Sequence, residues 1–159
     1  MIPAAKPLIG DDERAAVDRV LQSGMIAGGP EVAAFENEFS ELVEGRHCIA
    51  VNSGTSALHM AFLAAGIKPG DEVLVPSFTF AATANSVALA GGTPVFVDIE
   101  RDYFCMDPDA AEAAITPRTR AMMPVHLYGH PAAMDKYKAL AEKHDLLLFE
   151  DCLLYTSDA

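Results

Sequence analysis

The residues Asn52-Ser53-Gly54-Thr55-Ser56 stand where an apolar run, Cys48-Ile49-Ala50-Val51, gives way to a helical pattern. A helix entered from a strand through small residues presents unpaired backbone N–H groups and the positive end of its dipole, a site suited to phosphate. Gly54 lets the backbone approach the anion, and the Thr55 and Ser56 hydroxyls add donors. Further along, Pro76-Ser77-Phe78-Thr79-Phe80-Ala81-Ala82-Thr83 follows a second apolar run. Phe78 and Phe80 could stack there on a flat ring, although spacing alone favours a place in the core of the following helix. Asp151, in Phe149-Glu150-Asp151, could hold a proton on a heteroaromatic nitrogen. Taken singly, it reads more simply as a solvated or helix-capping acid. His126, in Val125-His126-Leu127-Tyr128-Gly129, could serve as an acid or base, but a lone histidine more simply packs and hydrogen-bonds. Asp98 reads as a turn organiser.

These residues need a scaffold that gathers them. Apolar runs at 48–53, 72–77, 94–99, 121–127 and 146–151 read as strands, separated by helical patterns near 54–66, 79–90, 108–115 and 131–144. Two helices precede them. The first opens on Asp11-Asp12-Glu13 and stops at Gly24; the second opens on Gly29-Pro30 and carries Val32, Phe35, Phe39 and Leu42 on one face. Strands apolar throughout and alternating with helices predict an α/β protein, a three-layer α/β/α arrangement around a mostly parallel sheet. Ligands of such folds sit beyond the carboxyl ends of the strands, which is where the residues above fall.

Composition narrows the function. A formal net charge of −12 over 159 residues argues against nucleic acid or an anionic membrane as partner. Three cysteines, Cys48, Cys105 and Cys152, are too few and too unevenly spaced for a disulfide framework or a zinc site, and a reducing cytoplasm is the default. Cys48 reads as a small core residue. No signal peptide, membrane span or histidine pattern suited to a metal is apparent. The glycine-rich signatures of dinucleotide and nucleoside-triphosphate sites are absent, as is the serine hydrolase elbow.

In combination these motifs resemble the DegT/DnrJ/StrS family of nucleotide-sugar aminotransferases, which depend on pyridoxal 5'-phosphate (PLP) and have the aspartate-aminotransferase-like fold. The likeness covers Lys6-Pro7-Leu8-Ile9-Gly10, Ser23-Gly24 to Gly29-Pro30, Asn52 to Leu58, Gly70-Asp71-Glu72-Val73, Pro76 to Asn85, Phe96-Val97-Asp98-Ile99, Val125 to Gly129, and Glu150-Asp151. The resemblance implies that 1–151 form the N-terminal part of the PLP-binding large domain of the type I transferase fold. It implies that Gly54, Thr55 and Ser56 hold the PLP phosphate, Phe80 stacks on the pyridine ring and Asp151 pairs with the ring nitrogen, so reversing the spacing-only readings of Phe80 and Asp151. His126 stays an outside candidate near the cofactor. The implied reaction moves an amino group, typically from glutamate, to a nucleotide-linked keto-sugar in polysaccharide, glycan or antibiotic sugar biosynthesis, in a cytoplasmic homodimer.

Two departures accompany the likeness. After Asp151 the family continues with small residues and then a glutamine, where this chain has Leu154 in a tail, 152–159, unlike the family. The Schiff-base lysine of the family lies in a Ser-x-x-x-x-Lys segment, and Lys6, Lys68, Lys136, Lys138 and Lys143 have no such context. The chain is therefore expected to be an N-terminal fragment, inactive by itself, with an uncovered sheet edge near 146–149. Two other readings stay open: a PLP-dependent sugar dehydratase of the same family, in which histidine replaces the lysine, and a cofactor-free regulatory or binding α/β domain.

Overall fold

The computed structural model describes residues 7–152; Leu154 and the rest of the tail beyond Cys152 lie outside them. The chain forms two compact units that meet in sequence at Asn52 and Ser53.

The first unit holds helices α1 (Asp11–Ser23) and α2 (Pro30–Leu42). The Glu13 side chain returns to accept the Gly10 N–H at 2.7 Å, one half of a capping box. Gly24 closes α1 in the left-handed region at φ 70°, as a residue without Cβ can. Neither helix buries a residue: Val17, Leu21, Phe35 and Phe39 are all exposed. The apolar run at 48–53, expected as a first buried strand, makes no ladder. Ile49 is exposed, Cys48 is only half-buried, and the Ala50 N–H donates to Glu36 Oε1 at 2.8 Å. A run of apolar residues becomes a strand only where a neighbour takes its backbone groups. Here a carboxylate takes one of them instead.

The second unit is a parallel sheet with helices on both faces. Its elements are α3 (Gly54–Ala64), β1 (Glu72–Pro76), α4 (Ala82–Leu89), β2 (Thr93–Val97), α5 (Pro108–Ala113), β3 (Thr119–Met122), α6 (Met134–His144) and β4 (Leu147–Leu148). The strand order is β2-β1-β3-β4, every pair parallel. Alternation along the strands divides the core. Val73, Val75, Ala121 and Met123 face one side with Leu58 and Phe62 of α3 and Val87 of α4. Leu74 and Met122 face the other with Ala111 of α5 and Tyr137 and Leu140 of α6. These are the three layers expected.

Chain connections make the site. From β1 the chain crosses through α4 to β2 on one flank, whereas from β3 it crosses through α6 to β4 on the other. The two crossovers leave in opposite directions, so a crevice opens beyond the ends of β1 and β3, the switch point of the sheet. The third and fourth paired strands are shorter than the apolar runs suggest. Pro124 has no N–H to donate, and the β3–β4 ladder breaks beside it. Pairing resumes as a single bridge between Val125 and Asp151, where the Asp151 N–H donates to Pro124 O at 3.1 Å and the His126 N–H to Asp151 O at 3.0 Å.

Candidate functional site

The switch point collects side chains from three loops. The loop after β1 contributes Phe78, Thr79 and Phe80 before α4 starts at Ala82. Because the helix begins only there, both phenylalanines precede its apolar face and the core reading from spacing does not hold. Phe80 is 65% exposed and Phe78, also exposed, sets its edge against Phe104 with centroids 6.1 Å apart. A large aromatic standing open at a sheet's carboxyl end offers a stacking surface.

Asp151 lies opposite, only 2% exposed. Its Oδ2 accepts a hydrogen bond from Thr83 Oγ1 at 2.9 Å, and Thr83 Oγ1 lies 3.0 Å from Thr79 Oγ1. Thr83 is itself buried, in the first turn of α4. Residue types and spacing had singled out neither threonine. No helical spacing could have found the pair, since Thr79 lies in the loop and only Thr83 in the helix.

His126 closes the third group. Its Nδ1 accepts the Ala132 N–H at 3.0 Å, so that nitrogen carries no proton and the hydrogen sits on Nε2, 3.2 Å from Glu150 Oε2. Both ring nitrogens are thus engaged in holding the 126–132 loop. Within this loop Tyr128 takes φ 51°, uncommon for a bulky residue, beside Gly129 at φ 78°. The packing and hydrogen-bonding reading of His126 describes this geometry.

The turn at the start of α3 is a capped helix N-terminus. Ser53 is the N-cap: its Oγ accepts the Ser56 N–H at 3.2 Å and lies 2.9 Å from Ser56 Oγ. Gly54, Thr55 and Ser56 form the first turn, each half-buried. After α3 the chain returns over 65–71 to the start of β1. The helix therefore begins at the end of the sheet where the strands finish, the same end as Phe80, Thr83, His126 and Asp151. A separate cavity of about 350 Å³, lined by Glu100, Cys105, Lys136 and the stacked Tyr103 and His130 rings, involves none of these residues. Burial pushes the Cys105 thiol above its ordinary pKa. Among the described residues no group of histidines, cysteines and carboxylates could hold a metal ion.

Solved structures similar to this chain include DesV of S. venezuelae in complex with a ketimine intermediate, 46% identical, TM-score 0.81, matching 89% of this chain and 39% of that one. NtdA of Bacillus subtilis with bound cofactor PMP is 37% identical, TM-score 0.83, over 95% of this chain and 37% of that one. Spr1654 of Streptococcus pneumoniae, a candidate sugar aminotransferase in its PLP form, is 35% identical, TM-score 0.85, over 92% and 38%. The chain spans less than two-fifths of the length of each of these three. The model of the DegT/DnrJ/EryC1/StrS aminotransferase family matches residues 7–153. This chain belongs to the DegT/DnrJ/EryC1/StrS aminotransferase family.

Proposed function

We propose that the protein carrying this chain is a PLP-dependent aminotransferase that moves an amino group, typically from glutamate, onto a nucleotide-linked keto-sugar. The observation that carries this reading is the buried Asp151 carboxylate, held by Thr83 at the switch point of the sheet in a chain that matches the DegT/DnrJ/EryC1/StrS aminotransferase family. The donor set fits the cofactor. A buried anion suits a protonated ring nitrogen, an exposed phenylalanine suits a ring face, and a serine-capped helix start suits a phosphate dianion.

Bound PLP supplies an electron sink for the charge that develops at the carbon gaining or losing the amino group. Asp151 keeps a proton on the ring nitrogen, because an adjacent anion favours the cationic ring. The Gly54 and Thr55 N–H groups and the Thr55 and Ser56 hydroxyls would anchor the phosphate, the Ser56 N–H being taken by Ser53 Oγ. Phe80 would offer its face for one side of the ring to stack on. His126 moves no proton in this reading; both its nitrogens are engaged, with the Ala132 N–H and with Glu150.

The same reading takes 1–151 as the N-terminal part of the cofactor-binding domain of a cytoplasmic homodimer, its product an amino sugar for a polysaccharide, glycan or antibiotic. The net charge of −12 supports a partner that is neither nucleic acid nor an anionic membrane. Among the described residues no helix is long and apolar enough to cross a membrane.

The test is the donor half of the reaction. Glutamate added to the PLP-loaded full-length protein, with no sugar present, is expected to yield about one 2-oxoglutarate per site. A nucleotide-linked keto-sugar then takes up the stored nitrogen, read as an amino sugar by mass spectrometry. A PLP-loaded protein that releases no 2-oxoglutarate and dehydrates a hydroxylated sugar substrate instead contradicts the reading and favours the dehydratase.

A further inference from the structure

We infer that Thr83 is a positioning residue for the ring-nitrogen contact, at the centre of a directed chain from Thr79 through Thr83 to Asp151. The inference rests on the proposed pairing of Asp151 with the cofactor's ring nitrogen and adds the device that aims the carboxylate.

The direction of the chain follows from the inventory of donors. An ionised carboxylate only accepts, so the Thr83 hydroxyl spends its single hydrogen on Asp151 Oδ2, at 2.9 Å. Thr83 Oγ1 is then an acceptor toward Thr79 Oγ1, 3.0 Å away, and Thr79 donates. Each link polarises the next in the same sense, toward the carboxylate. Thr83 is 1% and Asp151 2% exposed, so water does not substitute for either group. The Thr83 backbone is fixed as well: its carbonyl accepts from Ser86 Oγ at 3.0 Å, within α4. A bond from a rigid helix start to one carboxylate oxygen sets the rotation of the carboxylate plane.

A purely structural tie between α4 and the end of the sheet would look alike in coordinates, so the test must read the ring nitrogen itself. The probes are pyridoxamine phosphate, which has no aldehyde to react with surface lysines, and its analogue with C–H in place of the ring nitrogen. The full-length protein is expected to bind the first more tightly than the second. Thr83→Val is expected to shrink that preference by about tenfold, the worth of a hydrogen bond to a charged group. Thr83→Ser restores it, and Thr79→Val produces a smaller loss of the same sign.

Equal weakening of both probes by Thr83→Val, or an undiminished preference, overturns the positioning role while leaving the Asp151 contact standing. Equal binding of both probes by the unsubstituted protein overturns the Asp151 contact and the positioning role together. Melting curves of the apo variants accompany each titration, and Thr79→Val carries the test if Thr83→Val does not fold, an undiminished preference there overturning the directed chain.

Discussion

A carboxylate as buried as Asp151 costs several kcal/mol to desolvate unless something compensates, and Thr83 provides one strong hydrogen bond toward that cost. Phe80 shows the opposite economy, an apolar ring left 65% in solvent. Phe80→Ala is therefore expected to change the urea stability of the apoprotein by less than about 0.5 kcal/mol. The same variant is expected to weaken pyridoxamine phosphate binding by about two- to tenfold, the worth of an aromatic stack. Phe62→Ala, which empties a fully buried site against Phe149, is expected to cost about 3–5 kcal/mol in the same urea titration. A destabilised Phe80→Ala with unaltered binding would return Phe80 to the core. The residue types at 80 and 151 were legible in the sequence, but their roles were not legible from spacing. Thr83 and Asp151 lie 68 positions apart, and no local pattern joins a hydroxyl to a carboxylate at that separation.

At the scale of elements, the start of α3 carries two duties on one residue. Ser53 caps the helix by taking the Ser56 N–H, which fixes the turn that presents the Gly54 and Thr55 amides toward an anion. Ser53→Ala is expected to cost about 1 kcal/mol of stability by thermal or urea melting. It is also expected to weaken pyridoxamine phosphate binding more than binding of unphosphorylated pyridoxamine. Equal weakening of the two ligands would show that the cap serves the fold alone. Helix starts of this kind were legible because capping is local chemistry. Strand limits were less so. The run at 121–127 is apolar but for His126, yet its ladder breaks at Pro124, and the last strand shrinks to Leu147–Leu148 with a bridge at Asp151. The run at 48–53 has a strand's composition without a strand's neighbour, and pairing is a property that one segment cannot reveal.

The layered architecture is a property of the whole second unit, and it was legible because the central strand residues are apolar toward both faces and helix-length segments separate the runs. Its base is tied by Glu72 at the start of β1, which accepts from Thr116 Oγ1 at 2.5 Å and from Arg118 Nε at 2.9 Å. The Thr116 hydroxyl first, and the Arg118 guanidinium second, hold the Glu72 carboxyl below its ordinary pKa near 4.5. A lowered native pKa gives stability that is fully present above the ordinary value and is lost as pH falls through the native one. The gap in melting temperature between the native protein and Glu72→Gln is thus expected to be widest near pH 7 and to narrow as the pH falls below 4.5. A gap constant over that range would contradict the assignment.

The proposed activity depends on one contact, so the most direct measurement is a calorimetric titration of pyridoxamine phosphate into the full-length apoprotein and into Asp151→Asn. The native protein is expected to bind saturably. The variant, whose amide oxygen still accepts from Thr83, is expected to keep its melting temperature and to bind at least about tenfold more weakly. Absence of saturable binding to the native protein, or equal affinity in the variant, would contradict the account.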